Sequence, residues 1–384
     1  MLSSTSATTV RATLPVVGAA IGDITARFYD RLFEAHPELL RDLFNRGNQA
    51  AGTQRQALAG SIAAFAGYVV EHPDERPDAL LARIAHKHAA LGIRPEQYQV
   101  VHTHLFAAIV EVLGEAVTPD VAAAWDEVYW LMANALIALE TRLYDGDTDV
   151  FRTWTVRDRV QETEDVVAFE VAPNTGPAPA FEPGQFVSVQ VELPDGARQI
   201  RQYSLTGGDA GSLRFSVKRD GEVSRHLHEH AHPGTALTLG RPFGHVVLDG
   251  EDRPLVLASA GIGITPMVGM LEHLVAAGSP REVLVLHADR SLDAHAHRLH
   301  VGDLVGKLDR AELHVWYQDT VGDEDAHAGL LDLAAAGVAV PANAVAYLCG
   351  PVPFMRAART QLLAAGLPAA DIRYESFGPD LGLD

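Results

Sequence analysis

The chain has 384 residues, 47% hydrophobic and 21% charged, with a formal net charge of −20 and a single cysteine, Cys349. This length exceeds one ordinary domain, the acidic balance excludes sequence-independent binding to nucleic acid or anionic lipid, and the lone cysteine excludes intrachain disulfides and cysteine-rich metal sites. No apolar run is long enough to span a bilayer, and MLSSTSATTVRATLPVV lacks an apolar core before a small-residue cleavage site, so a cytoplasmic protein without a signal peptide is expected.

Residues 1–145 read as helices. Apolar residues recur at three and four, as in Ile24–Phe28–Leu32 and Leu105–Ile109–Val112, and turn signals at His36-Pro37, His72-Pro73, Arg94-Pro95 and Thr118-Pro119 separate the segments. The stretch LLARIAHKHAALGI holds two histidines. Leu81, Ile84, His88 and Leu91 share one helix face, whereas His86 lies about 200° from His88 and is expected to meet solvent. Gly92 should end that helix. On another helix Gln54 looks along a mostly apolar face with Leu58, Ser61/Ile62 and Phe65; Tyr29 sits amid Phe28 and Phe33, and Phe44 at a helix end. Singly these read as core aromatics and helix-face amides. Together they make an apolar pocket with one imidazole and two polar groups, which is what a haem requires.

From Phe151 to Leu248 short strand-like segments alternate with turns, which predicts an antiparallel barrel or sandwich, interrupted by one helix near Ser224 to His230. RQYSLT, Arg201 to Thr206, puts a cation and a phenol on one strand face, suited to a phosphate-bearing ring system or simply to an amphipathic strand. GEVSRHLH offers either an anion site at a helix start or a plain Ser224 cap.

The remainder alternates strand and helix, the pattern of a parallel sheet. SAGIGITPM follows the strand PLVLA. Its Gly261 and Gly263 would let backbone approach a ligand, Thr265 could cap the next helix, and Pro266 fits the first turn. Proline replaces the third glycine of the usual dinucleotide fingerprint. YLCGP ends a later strand, where ligands of parallel sheets gather, although Cys349 by itself reads as a small buried hydrophobe.

In this order, the elements from Phe151 onward resemble the ferredoxin–NADP reductase superfamily. The whole chain resembles the flavohaemoglobin family: an all-α globin at 1–145, an antiparallel β-barrel FAD domain at 150–250 and an α/β parallel-sheet NAD(P)-binding domain at 254–384. The resemblance implies haem b, FAD and NADH or NADPH as cofactors. It implies His88 as the proximal ligand of the iron, with Tyr98 and Glu140 hydrogen-bonded around it. Tyr29 and Gln54 would face the oxygen-binding side, and Phe44 and Leu58 would pack on the haem. Phe186, Arg201, Gln202, Tyr203, Ser204, Lys218, Val223 and Ser224 would serve the flavin, and Gly261, Ile262, Gly263, Ile264, Thr265 and Pro266 the pyrophosphate. Cys349, Gly350 and Pro351 would line the nicotinamide. Ser376, Phe377, Gly378 and Pro379 would form the closing segment over the flavin, with Lys87 and Glu375 biasing electron flow.

Departures from the family pattern are modest. The linker lacks Gly-Gly-Trp, Phe186 stands where tyrosine is frequent, Ser376 replaces cysteine, and Ile264 stands where glutamine is common. Histidines 226, 228, 230 and 232, and 295, 297 and 300, read as solvated surface in preference to a metal site. Asp289 could take ribose hydroxyls, while Arg290 and Ser291 could welcome a 2′-phosphate; the balance leans to NADH. The implied activity is that of a monomeric nitric oxide dioxygenase acting on NO and O2. The alternatives are an O2 or NO sensor or carrier, and a flavin reductase for an external acceptor.

Overall fold

The computed structural model describes residues 1–147, 149–320 and 325–378. Helices occupy its first part: α1 Ser4–Ala35, α2 Pro37–Asp42, α3 Arg46–Ala50, α4 Thr53–Glu71, α5 Asp78–Leu91, α6 Pro95–Leu113 and α7 Pro119–Tyr144. Their ends follow local chemistry. Ser3 and Thr118 accept backbone N–H groups at the starts of α1 and α7, and Pro37, Pro95 and Pro119 stand in first turns. Gly92 closes α5 at φ 73°, as its position predicted. Ile24, Phe28 and Leu32 of α1 meet Phe65 of α4, Leu81 of α5, Leu105 of α6 and Leu136 of α7 in one apolar core.

The barrel comprises β1 Phe151–Thr163, β2 Val166–Pro173, β3 Phe186–Glu192, β4 Arg198–Asp209, β5 Ser212–Lys218, then α8 Glu222–His230 and β6 Ala236–Gly240. It closes in the order β1-β2-β5-β4-β3-β6. Closure leaves no edge strands, and alternate residues such as Val167, Phe169, Val171, Phe215 and Val217 fill the interior.

The last part carries β7 Leu255–Ala260, α9 Ile264–Ala276, β8 Val283–Ser291, α10 Arg298–Gly306, β9 Ala311–Asp319, β10 His327–Ala328, β11 Val345–Cys349, α11 Val352–Ala364 and β12 Ile372–Glu375. The strands pair in parallel in the order β10-β9-β8-β7-β11-β12. The order of strands reverses at β7 and β11, since the chain runs outward from β7 to β8, β9 and β10 on one side and then returns to place β11 and β12 on the other, which makes the carboxyl ends of β7 and β11 the natural ligand crevice. The two-residue β10 was too short to be read from the sequence. By packing, residues 190–201 belong to one unit with residues 1–151, and the rest of the barrel belongs with the parallel sheet.

Candidate functional site

His88 lies near the end of α5. Its Nδ1 is 2.8 Å from Glu140 Oε1 and 3.0 Å from the Tyr98 hydroxyl, and that hydroxyl donates to the same carboxylate oxygen at 2.5 Å. Glu140 on α7 is 2% exposed and Tyr98 on α6 is 7% exposed, so the carboxylate is satisfied by two donors where water does not reach. Burial first, then the Glu140 carboxylate, pushes the Tyr98 phenol far above its ordinary pKa, so it stays a donor. The Nδ1–H on the carboxylate fixes the tautomer that leaves Nε2 as the ligating nitrogen. His86 differs from expectation. It is half-buried on a helix packed against α7, and burial lowers its pKa. The second face of α5 is therefore not simply solvated. Lys87, between the two, is also half-buried.

Tyr29 of α1 is 2% exposed, with Phe28, Phe33 and Phe44 rings at 4.8, 5.5 and 5.8 Å. Burial pushes its phenol up to about 12, while Gln54, Gln49 and Arg55 partly offset the rise. Gln54 and Leu58 of α4 sit half-buried beside it in sequence order along one face. Gln49 of α3 is a partner that the sequence reading missed. Both of its amide atoms are closed off from solvent and neither makes a well-formed hydrogen bond within the protein, while the amide offsets part of the rise in the Tyr29 pKa. The stretch NRGNQAAG has no periodicity to reveal it. The available signal was Asn45, which caps a one-turn helix by accepting from Gly47 and Asn48.

Of the flavin set, Ser204, Phe186 and Val223 are buried, Gln202 Nε2 donates to Ser188 Oγ at 3.2 Å, and the Tyr203 ring stacks on Phe215 at 5.7 Å. Arg201 Nη1 donates to the Ile200 carbonyl at 2.8 Å. Lys218 pairs with Asp165 at 3.5 Å. Ser224 does not open its helix. It stands two residues inside α8, and its hydroxyl accepts the Asp220 and Gly221 N–H groups at 2.9 Å each and donates to the Gly221 carbonyl at 3.0 Å.

At the switch point of the sheet, Gly261–Gly263 form one 3₁₀ turn and α9 begins at Ile264. Thr265 lies inside the first turn, buried, and donates to the Ile262 carbonyl at 3.0 Å, so it is not the cap. Ile264 and Cys349 have wholly buried side chains, and burial raises the Cys349 thiol well above its usual pKa. Any role of Ile264 with a ligand is therefore through its backbone. The two glycines also divide their work. Gly261 has φ 52° with open space where a Cβ would stand, whereas a Cβ on Gly263 would strike the Cys349 carbonyl. Gly350, at φ 153°, packs on Ala260. Pro266 is buried, Ile262 is half-buried, and Pro351 is exposed at the start of α11. Cys349 pairs in register with Glu375, which is 6% exposed beside buried Ser376, while Phe377 is half-exposed and Gly378 adopts φ 135°. Pro379 lies outside the described residues.

The histidine runs are not simply surface. His228 Nε2–H donates to the Val217 carbonyl at 2.9 Å, His297 meets Ser216 Oγ at 2.8 Å, and His295 meets the Tyr317 hydroxyl at 2.8 Å, all three buried. Alternation along a loop and a short helix concealed which imidazoles turn inward. The Asp289 side chain is likewise covered, 5% exposed, accepting the Arg290 backbone N–H at 2.7 Å and standing 3.6 Å from His287 Nε2, whereas the Arg290 side chain is 65% exposed with Asp165 at 3.6 Å. In this arrangement the carboxylate expected to take ribose hydroxyls is engaged inside the domain. Among the described residues no three His, Cys, Asp or Glu side chains converge as a metal site, and no helix is long and apolar enough to cross a membrane.

Family comparison agrees with this division. Residues 26–136 match the globin family and residues 257–360 the oxidoreductase NAD-binding domain. The chain is 41% identical to the flavohemoprotein of Chromobacterium violaceum over the full length of both, and 39% identical to that of Rhizobium meliloti, covering 99% of each. It superposes on the Malassezia yamatoensis flavohemoglobin, solved with bound FAD and heme, with a TM-score of 0.92 at 37% identity, covering 98% of this chain and all of the other. A globin, a closed barrel and a parallel-sheet nucleotide domain thus occur here in the same order over the same length, and the chain belongs to the flavohemoprotein family.

Proposed function

We propose that the protein is an NAD(P)H-dependent nitric oxide dioxygenase that converts NO and O2 to nitrate and so detoxifies NO, using haem b and FAD. A relative's reductase fragment from Vibrio cholerae, 34% identical and covering 59% of this chain with a TM-score of 0.56, carries the name nitric oxide dioxygenase, which supports the reading. The observation that carries it is the His88–Glu140–Tyr98 network. A carboxylate on the far nitrogen makes an imidazole ligand more electron-donating, which favours oxygen chemistry over reversible storage and disfavours the sensor or carrier reading.

When bound, haem and FAD supply one-electron chemistry with dioxygen and the splitting of a two-electron hydride into single electrons. The residues present fit them. His88 Nε2 would take the iron, Phe44 and Leu58 would pack on the macrocycle, and the protonated Tyr29 phenol, with Gln54 and Gln49, would donate toward its other side. Arg201, Tyr203 and Ser204 would hold the flavin, and the open left-handed Gly261 would admit the pyrophosphate. Lys87 and Glu375 would bias electron transfer between the two centres. The test is nitrate formation by the purified full chain under NADH, O2 and NO. Wild type is expected to show haem and flavin absorption and to form nitrate. His88→Ala should lose both the haem band and nitrate while still reducing ferricyanide from NADH. Intact haem with no nitrate formed would overturn the proposal in favour of a sensor.

A further inference from the structure

One fully buried carboxamide ties together two parts of the helical unit. Gln199, near the start of β4, has no exposed surface. Its Nε2 donates to the carbonyls of Arg41, Phe44 and Leu40 at 2.9, 3.2 and 3.3 Å. Its Oε1 accepts from Arg201 Nη1 at 3.1 Å and from the Arg46 backbone N–H at 3.4 Å. Two contacts flank it: Arg46 Nη1 to Asp195 at 2.6 Å and the Arg198 N–H to Asp42 Oδ1 at 3.1 Å.

The carbonyls of Leu40 and Arg41 are among those that the end of the short α2 leaves without helical partners, and the Phe44 carbonyl belongs to the bend that follows. The amide has only one satisfied orientation. Turned over, it would set Oε1 against three carbonyl oxygens and its donors against Arg201, losing every bond in a buried place. Arg201 therefore holds the amide plane, and the amide plane holds the corner. That corner carries Phe44, which meets the Tyr29 ring edge-on, and it starts α3, which carries Gln49.

We propose that Gln199 is a positioning residue that transmits the seating of Arg201 to the Phe44 corner, so that flavin and haem bind with positive coupling. The inference rests on the cofactor assignment made above. Arg201 is half-buried and already donates to Gln199 and to the Ile200 carbonyl. A flavin phosphate accepting from the same guanidinium would favour this rotamer further, reinforce the satisfied orientation of Gln199 and firm the wall against which a haem packs. Coupling of this kind is reciprocal, so haem strengthens FAD binding by the factor by which FAD strengthens haem binding.

The experiment measures FAD affinity of the full chain with and without haem, and the rate of haem transfer to an acceptor globin with and without FAD. Wild type is expected to show about five-fold coupling in both directions. In Gln199→Leu each ratio should fall to roughly one, below about two-fold. Gln199→Glu keeps the acceptor for Arg201 and Arg46 but places a carboxylate oxygen against the three carbonyls. It should preserve FAD affinity while losing the coupling, a split that a general folding defect would not give. Coupling absent in wild type, or undiminished in both variants, would overturn the proposal. A chain that takes up no haem shows no haem absorption, and that outcome strikes the cofactor assignment instead.

Discussion

The helical pocket and the strand-end crevice build their sites by opposite means. Around His88 the work is done by side chains: one imidazole, one carboxylate and one phenol from α5, α7 and α6 meet within 3.0 Å. At the ends of β7 and β11 it is done by backbone, since Gly263 lies against the Cys349 carbonyl and Gly350 against Ala260. A side-chain site tolerates a moved backbone but not a changed functional group. A backbone site tolerates most neighbours but not an added carbon.

The largest effect expected from this contrast is at Glu140. Glu140→Gln keeps an acceptor for the His88 Nδ1–H and removes the charge, so packing is preserved and basicity lost. Nitrate formation should fall about 10- to 100-fold, the range for losing a partner of a metal-bound histidine, with the NADH–ferricyanide rate unaltered. Equal nitrate rates in the two proteins would mean that hydrogen bonding, not charge, is what the network provides. At the other site the addition of one methyl should be enough. Gly263→Ala is expected to cost about 2 kcal/mol in urea unfolding of the nucleotide-binding part, because the obstacle is a backbone carbonyl that cannot swing aside. Gly261→Ala, strained only by its φ of 52°, should cost about 1 kcal/mol. If the order is reversed, the open side of Gly261 carries structure that the packing does not reveal.

The same contrast explains what could be read in advance. His88 was legible because a period of 3.6 puts it with Leu81, Ile84 and Leu91, whereas Tyr98 and Glu140 were legible only through the family resemblance, since nothing in their local spacing points to an imidazole on another helix. The crevice glycines were legible only by order along the chain, and their separate tasks were not, since Gly263 is constrained by a carbonyl 86 positions away in sequence. Gln49 and Gln199 escaped for a related reason. One lies in a single turn too short for periodicity, and the other on a strand start whose neighbours, Arg198 and Arg201, suggest a polar face. The inward histidines escaped for two reasons: His228 lies on α8, where histidines two apart fall on different faces, and His295 and His297 lie in the loop before α10, which has no periodicity.

His295 shows what inward placement costs. Burial, then His287, Arg298 and His297, hold its pKa down to about 2, whereas the unfolded chain should titrate near the ordinary value. The native state thus binds fewer protons than the unfolded state below pH 6.5, and stability falls as the pH drops. His295→Phe, which fills the same space beside His287, removes this share. Between pH 7.5 and 5.5 wild type should lose about 1.4 kcal/mol more than the variant. Parallel stability curves would place the proton elsewhere, on His297 or His228, whose pKa values burial also lowers.

The smallest effect expected is at Gln49, and it bears most directly on the side-chain site. Its carboxamide is closed off from solvent and approaches Tyr29 without a well-formed bond, so its removal should cost one weak hydrogen bond and leave the core unchanged. Gln49→Leu is expected to speed oxygen release from the ferrous protein about five-fold, less than Gln54→Leu. In a Tyr29→Phe background the same change should have no effect, because the phenol through which it acts is gone. Additive effects in the double variant would mean that Gln49 acts by shaping α3 rather than through Tyr29, and the pocket would then have one working carboxamide instead of two.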